Sequence, residues 1–174
     1  MRRRERTRRG GRTRRGAQVE ELPFDDAHFD AAIIEATLSY QVGPHQKATL
    51  KEIGRVLKPG ARIGLHELAW RQPPTPEVEG RLREVWQGEV HPHVVRGWWD
   101  LLDEGGFKGV KNELAVVSYF TRQGMENDEG DTAIDIFHSA FEDPDSLQRF
   151  SQALHEFADN RHYYGVILAT AIKA

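Results

Sequence analysis

Two short histidine-bearing stretches offer the clearest candidates for chemistry. His66-Glu67 closes the apolar run RIGLHEL, and His91-Pro92-His93 interrupts the chain after an amphipathic segment. An imidazole next to a carboxylate can accept a proton near neutrality, although an ordinary strand-end pair has the same appearance. The second stretch has an i, i+2 spacing around proline with no evident third ligand. With no cysteine in the chain, no metal is expected. A turn or a substrate-facing loop remains for it. The absence of cysteine also excludes a disulfide framework and a thiol nucleophile.

The elements that must position these residues follow from periodicity. FDAAII, residues 29–34, reads as a short buried strand after the turn-like Asp25-Asp26. Pro44 opens a helix whose Leu50, Ile53, Val56 and Leu57 share one face, and Lys58-Pro59-Gly60 ends it. Residues 62–68 form a second strand. QPPTP is a stiff connector to a helix carrying Val78, Leu82, Val85 and Trp86, and residues 94–104 start another helix that stops at Gly105-Gly106. Residues 110–119 suggest a strand and 120–131 a loop. Helical stretches at 132–141 and 145–159 follow, and the chain closes on the β-type run YYGVILATAI. Alternating strands and helices specify an α/β fold with a parallel component.

Charge divides the chain. Nine arginines against Glu5 give residues 1–15 a charge of +8, so the rest carries −11 of the net −3. Residues 1–16 read as a disordered Arg-rich tail, with order from residue 17 to 174. No aromatic or amide reader residue interleaves the arginines, so nucleic acid is not an expected partner. No apolar run approaches the roughly 20 residues of a membrane span, and no hydrophobic segment backs the basic start. A cytoplasmic setting is expected.

The sequence Val19-Glu20-Glu21-Leu22-Pro23-Phe24 with Asp25-Asp26, then Phe29-Asp30 and an apolar strand, resembles class I S-adenosylmethionine-dependent methyltransferases. The likeness continues through Arg55-Val56-Leu57-Lys58-Pro59-Gly60 and the strand after it. It is similar to the branch that includes the ubiquinone and menaquinone biosynthesis type. The strong part spans residues 17–68, and a weaker pattern extends to the C-terminus.

That resemblance implies a partial Rossmann-like sheet, strands 4-5-7-6 of the usual seven with strand seven antiparallel and helices on the faces. The chain would be the C-terminal portion of such a domain, truncated before the glycine-rich cofactor turn. It implies S-adenosylmethionine as cofactor, bound weakly or not at all, through Gln18, Val19, Leu22, Phe24, Glu35 and Thr37. Substrate contacts would fall to Tyr40, Trp70, His91, His93 and Trp98. His66 and Glu67 are candidate bases for an acceptor that must lose a proton. The cluster Gly105-Gly106-Phe107-Lys108-Gly109 follows a helix, the wrong context for a cofactor turn, and reads as a helix C-cap.

The expected activity is methyl transfer to a small-molecule acceptor, impaired in this chain. The alternative is a non-catalytic remnant that serves as an interaction or oligomerisation module, in which the basic arm is the part that would meet nucleic acid. With strands one and two without a counterpart, FDAAII becomes an exposed apolar edge, from which pairing across a homodimer, aggregation or poor folding is expected.

Overall fold

The computed structural model describes residues 19–86, 88–118 and 121–174. The Arg-rich segment and Gln18 lie outside the described residues. Strand β1 (Phe29–Glu35) leads through a short 3-10 turn (Leu38–Tyr40) into helix α1 (Gly43–Val56). Strand β2 (Leu57–Trp70), helix α2 (Pro76–Trp86), the two-residue strand β3 (His93–Val94), helix α3 (Val95–Glu104) and strand β4 (Phe107–Val116) follow. Three helices, α4 (Arg122–Glu129), α5 (Thr132–Glu142) and α6 (Pro144–Asp159), precede the closing strand β5 (Tyr164–Lys173).

The sheet order is β1-β2-β5-β4, with β3 beside the end of β2. β1 and β2 run parallel, while β5 is antiparallel to both β2 and β4. This is the 4-5-7-6 half-sheet that the resemblance implies, antiparallel strand seven included. Parallel strands need a crossover, and α1 supplies it between β1 and β2.

One face of the sheet carries the main core. Ile63 and Leu65 of β2 and Ile167 and Ala169 of β5 point at Leu50 and Ile53 of α1 and at Trp98, Leu101 and Leu102 of α3. Full burial of each large aliphatic side chain contributes about 1.5–3 kcal/mol. Leu50 and Leu102, at 0% and 1% exposed, collect nearly all of it. A second cluster joins Trp70, Val78, Leu82, Val90, Phe157 and Tyr164 at the far end of β2. Within it the carboxylate of Glu156 accepts from Arg81, Asn160 and Tyr164, tying α2, α6 and β5 together.

Three local expectations need correction. The Lys58-Pro59-Gly60 turn does not separate helix from strand. Leu57 already pairs with Phe29, and the next pair is Ala31 with Arg62, so the turn is a bulge inside β2 with Gly60 at φ +78°. Strand β4 starts at Phe107, three residues early, because Gly106 at φ +85° reverses the chain at once. Finally, α4 occupies the expected loop. Thr121 caps it by accepting from the Gly124 N–H at 3.0 Å. Gly124 itself is required there, since a Cβ would stand 1.9 Å from the Ser118 carbonyl oxygen. Met125 is its one fully buried apolar anchor among the described side chains, too sparse a signal for periodicity to register.

Candidate functional site

The carboxyl end of β1 meets β2 in register, Glu35 opposite His66, four residues before β2 ends at Trp70. The chain leaves β1 through Ala36, whose φ of +44° is a conformation that residues with a Cβ seldom adopt. Such strain persists only where the surroundings over-determine it. Here they do. Ala36 N–H donates to the His66 carbonyl oxygen at 2.9 Å. The next three N–H groups, of Thr37, Leu38 and Ser39, all donate to the Glu67 carboxylate at 2.8, 2.8 and 3.0 Å, and the Ser39 hydroxyl adds a fourth bond at 2.7 Å.

Glu67 is 1% exposed. Its two oxygens are fully engaged by donors, and donors of this kind repay the burial of a charge. The candidate base Glu67 is therefore corrected to a clamp on the loop. At this end of the sheet His66 Nδ1 lies 3.2 Å from Glu35 Oε1, with side chains 45% and 71% exposed. An Nδ1–H donated to that carboxylate leaves Nε2 as the basic nitrogen, the usual orienting arrangement for an imidazole base.

A second polar chain extends from the loop. Gln46, wholly buried on α1, donates its amide N–H groups to the carbonyls of Leu38 and His91 at 2.9 and 3.2 Å. Its Oε1 can then only accept, so His93 Nε2, 2.8 Å away, carries the proton. Burial, and next the neighbouring His91, push the His93 pKa below its ordinary 6.5, in keeping with a neutral ring. That ring meets Trp98 edge-on with centroids 4.9 Å apart. Gly97 makes room for it, since a Cβ there would come within 3.0 Å of His93 Cβ.

His91 contributes backbone. Its N–H donates to the Ser39 carbonyl oxygen at 2.7 Å. Its Nε2 sits 2.9 Å from the Glu89 carboxylate, outside hydrogen-bond alignment. His93 is thus spent on holding the loop, and the expectation that both histidines line a substrate surface is corrected accordingly. Trp98 and Trp70, 0% and 3% exposed, are core residues: apolar burial decides their position, and neither reaches solvent. Tyr40 remains on the surface at 47% exposed, where Trp86 Nε1–H donates to its hydroxyl. Sequence reasoning did not connect these two. Only the packing of α2 against the loop brings them together.

The residues assigned to the cofactor do not converge on one point. Glu35 and Thr37 stand at the carboxyl end of β1, although the Thr37 hydroxyl donates to the Glu35 carbonyl oxygen. The segment 19–26 runs alongside α1, from Glu20 at His45 to Asp26 at Arg55. Val19 and Leu22 pack on the main core. Phe24 is corrected outright: it stacks with His28 and meets Phe29 edge-on, at the opposite end of β1 from Glu35. Gln46 and Ser39, both buried, gave no sequence signal, because a single amide or hydroxyl carries no periodicity that tells a buried position from a solvated one.

Residues 1–65 match the methyltransferase domain family, a match that begins sixteen residues before the stretch singled out by sequence alone. An uncharacterized protein of Haemophilus influenzae is 26% identical over 147 residues, covering 84% of this chain and 58% of its own length. A demethylmenaquinone methyltransferase of Clavibacter sepedonicus is 40% identical over 80 residues, 46% of this chain and 31% of that protein. Among solved structures, a putative sarcosine dimethylglycine methyltransferase from Galdieria sulphuraria superposes with a TM-score of 0.70 at 12% identity, over 91% of this chain and 57% of that one. The last likeness concerns the fold. The chain thus spans between a third and three fifths of the curated relatives named here.

Proposed function

We propose that this chain, a relative of the class I S-adenosylmethionine-dependent methyltransferases, serves methyl transfer to a small-molecule acceptor and provides the acceptor side of the site. S-adenosylmethionine, when bound, supplies an electrophilic methyl group. The observation that carries the reading is the Glu35–His66 pair, at the carboxyl end of β1 and toward that of β2, beside a strained loop held by Glu67. Ligands of open α/β sheets bind at that end of the strands.

In this reading His66 Nε2 takes the proton of a hydroxyl or amine acceptor, and Glu35 orients the ring and stabilises its charged form. Tyr40, held by Trp86, forms one wall of the acceptor pocket. The Glu67 clamp fixes the loop, so positioning supplies much of the acceleration.

The cofactor fits these residues in part. Glu35 offers an exposed carboxylate for its methionine end, but Thr37 is engaged, and Val19 and Leu22 belong to the core. No glycine-rich turn follows a strand among the described residues as the first βα turn of such folds requires. Weak cofactor binding by this chain is therefore part of the proposal. A chain without cysteine suits a reducing, cytoplasmic setting.

The test is calorimetric titration of the full chain with S-adenosylhomocysteine, together with release of that product from S-adenosylmethionine across a panel of phenol, amine and quinol acceptors. Weak binding and slow turnover that vanish in His66→Asn are expected. Tight binding contradicts the impairment, and turnover unaffected by His66→Asn contradicts the base.

A second reading, an interaction module without catalysis, is favoured by one observation: Ile33 in β1 is 82% exposed.

A further inference from the structure

We infer that the outer edge of β4 joins two copies of this chain, strand against strand, antiparallel about Asn112. Strand β4 closes the sheet at the end away from β1 and, among the described residues, pairs only with β5. Strands added beside β1, as the seven-stranded order implies, leave β4 outermost. Two flanking bonds show which backbone groups face outward. Ala174 N–H donates to the Gly106 carbonyl oxygen, and Arg71 N–H to that of Tyr163. Backbone direction alternates along a strand, so the even-numbered residues of β5 address β4 and the odd-numbered ones address β2. Lys111, Glu113 and Ala115 therefore spend their N–H and C=O groups on β5. Asn112, Leu114 and Val116 aim theirs outward.

Lysine ordinarily blunts such an edge. Lys108, tied to Asp103, and the bulge between Lys108 and Lys111 do so for the first part of β4. Past the bulge the charges act differently. Lys111 and Glu113 are exposed on one face, opposite Thr170 and Leu168, and neither has an ionic partner among the described residues.

The occupant that this pattern selects is a second copy. An antiparallel pairing centred on Asn112 sets Lys111 opposite the partner's Glu113 and Glu113 opposite the partner's Lys111. On the other face Val110 meets the partner's Leu114, both already packed against the main core. Opposite charges and apolar pairs directly across a ladder stabilise it. A slip of two residues in one direction sets Lys111 against the partner's Lys111, and in the other Glu113 against the partner's Glu113. One register is thus selected by charge.

The helix side obeys the same two-fold. Trp99, 37% exposed, donates its Nε1–H to Asn112 Oδ1 at 2.9 Å, which places it at the centre. Arg96, Asp100 and Asp103 flank it on α3 and, with the first residues of β4, line an open cavity of about 320 Å³. Rotation about Asn112 turns this cavity toward its copy and brings Arg96 toward the partner's Asp103. A central tryptophan rimmed by charged side chains has the make-up of an interface hot spot. The arrangement is closed and self-complementary. The inference does not depend on methyl transfer.

A short strand and one helix face bury less than the standard interface of about 1,600 Å², so the dimer dissociates on dilution. Sedimentation velocity of the full chain over about a hundredfold range of concentration tests it. A reversible monomer–dimer equilibrium is expected. Lys111→Glu and Glu113→Lys each set like charges opposite one another and should weaken the dimer at least about tenfold. The double variant Lys111→Glu/Glu113→Lys brings opposite charges together again and should restore it. Circular dichroism should show the native fold in all three, because both side chains lie in solvent in the separate chain. Ile33→Lys, on β1, should leave the dimer unchanged. A wild-type chain monomeric throughout, a dimer indifferent to both single changes, a double variant that stays monomeric, or a dimer lost in Ile33→Lys would each overturn the inference.

Discussion

Glu67 and Ser39 are bonded twice through one atom: Glu67 Oε2 accepts from the Ser39 N–H at 3.0 Å and from its hydroxyl at 2.7 Å. The other oxygen holds the N–H groups of Thr37 and Leu38. A buried charge of this kind is stable only while every donor stays in place, which makes the loop after β1 rigid by construction.

Glu67→Gln should destabilise the protein by about 2–3 kcal/mol, because one amide nitrogen would face donors that it cannot accept from. Urea denaturation reads the loss. Amide hydrogen exchange should show Thr37, Leu38 and Ser39 losing protection before the rest of the chain. Unchanged protection at those three amides would remove Glu67 from its role as clamp.

Stability should fall in acid through Glu52. The Arg55 guanidinium, chiefly, and the Leu22 N–H hold its carboxyl at about 2, below the ordinary 4.5. A depressed carboxylate pKa means that the folded state binds fewer protons than the unfolded one. The contribution is therefore complete above pH 4.5 and is lost as pH drops toward 2. Glu52→Gln should flatten the urea midpoint across that window, and an unchanged slope would show that other carboxylates set it.

His93 should act at a higher pH and in the same direction. Its folded pKa lies below 6.5, so its contribution is present above 6.5 and declines as pH falls further. His93→Phe keeps a ring against Trp98 but removes the donor to Gln46. It should lower stability near neutrality by about 1–2 kcal/mol and lose the His93 part of the decline below pH 6.5. Thermal melts at several pH values decide it.

Trp86→Phe should cost about 0.5–1.5 kcal/mol in urea denaturation, since it retains a ring near Phe157 and loses the bond to Tyr40. The Tyr40 ring should gain freedom, visible as sharper ring resonances by NMR. A ring as restrained as in the parent would show that the bond does not hold Tyr40.

Most of the fold was legible in the chain. FDAAII and RIGLHEL announced β1 and β2 as short apolar runs bounded by turn residues, and burial along β2 alternates as in a strand covered more on one face. Pro44 announced α1 because its fixed φ suits a first turn. The polar helix α4 escaped notice because its fixation rests on one cap and one glycine contact rather than on a repeating apolar face. At the site, His66 was legible as a titratable group at a strand end. The fate of Glu67, one residue on, was not: adjacent side chains on a strand point to opposite faces, and only packing reveals which face is buried.

The sequence by itself determined the order and kind of the main elements, and it carried the motifs that resemble the methyltransferase domain family. These depend on local patterns that span a few residues. Tertiary structure alone decided that Glu67 grips residues 28 to 30 positions away and that Gln46 meets His93, 47 positions on. Those meetings are products of parallel register, which places Glu35 beside His66, and of two helices packing on one sheet face. No local spacing encodes them.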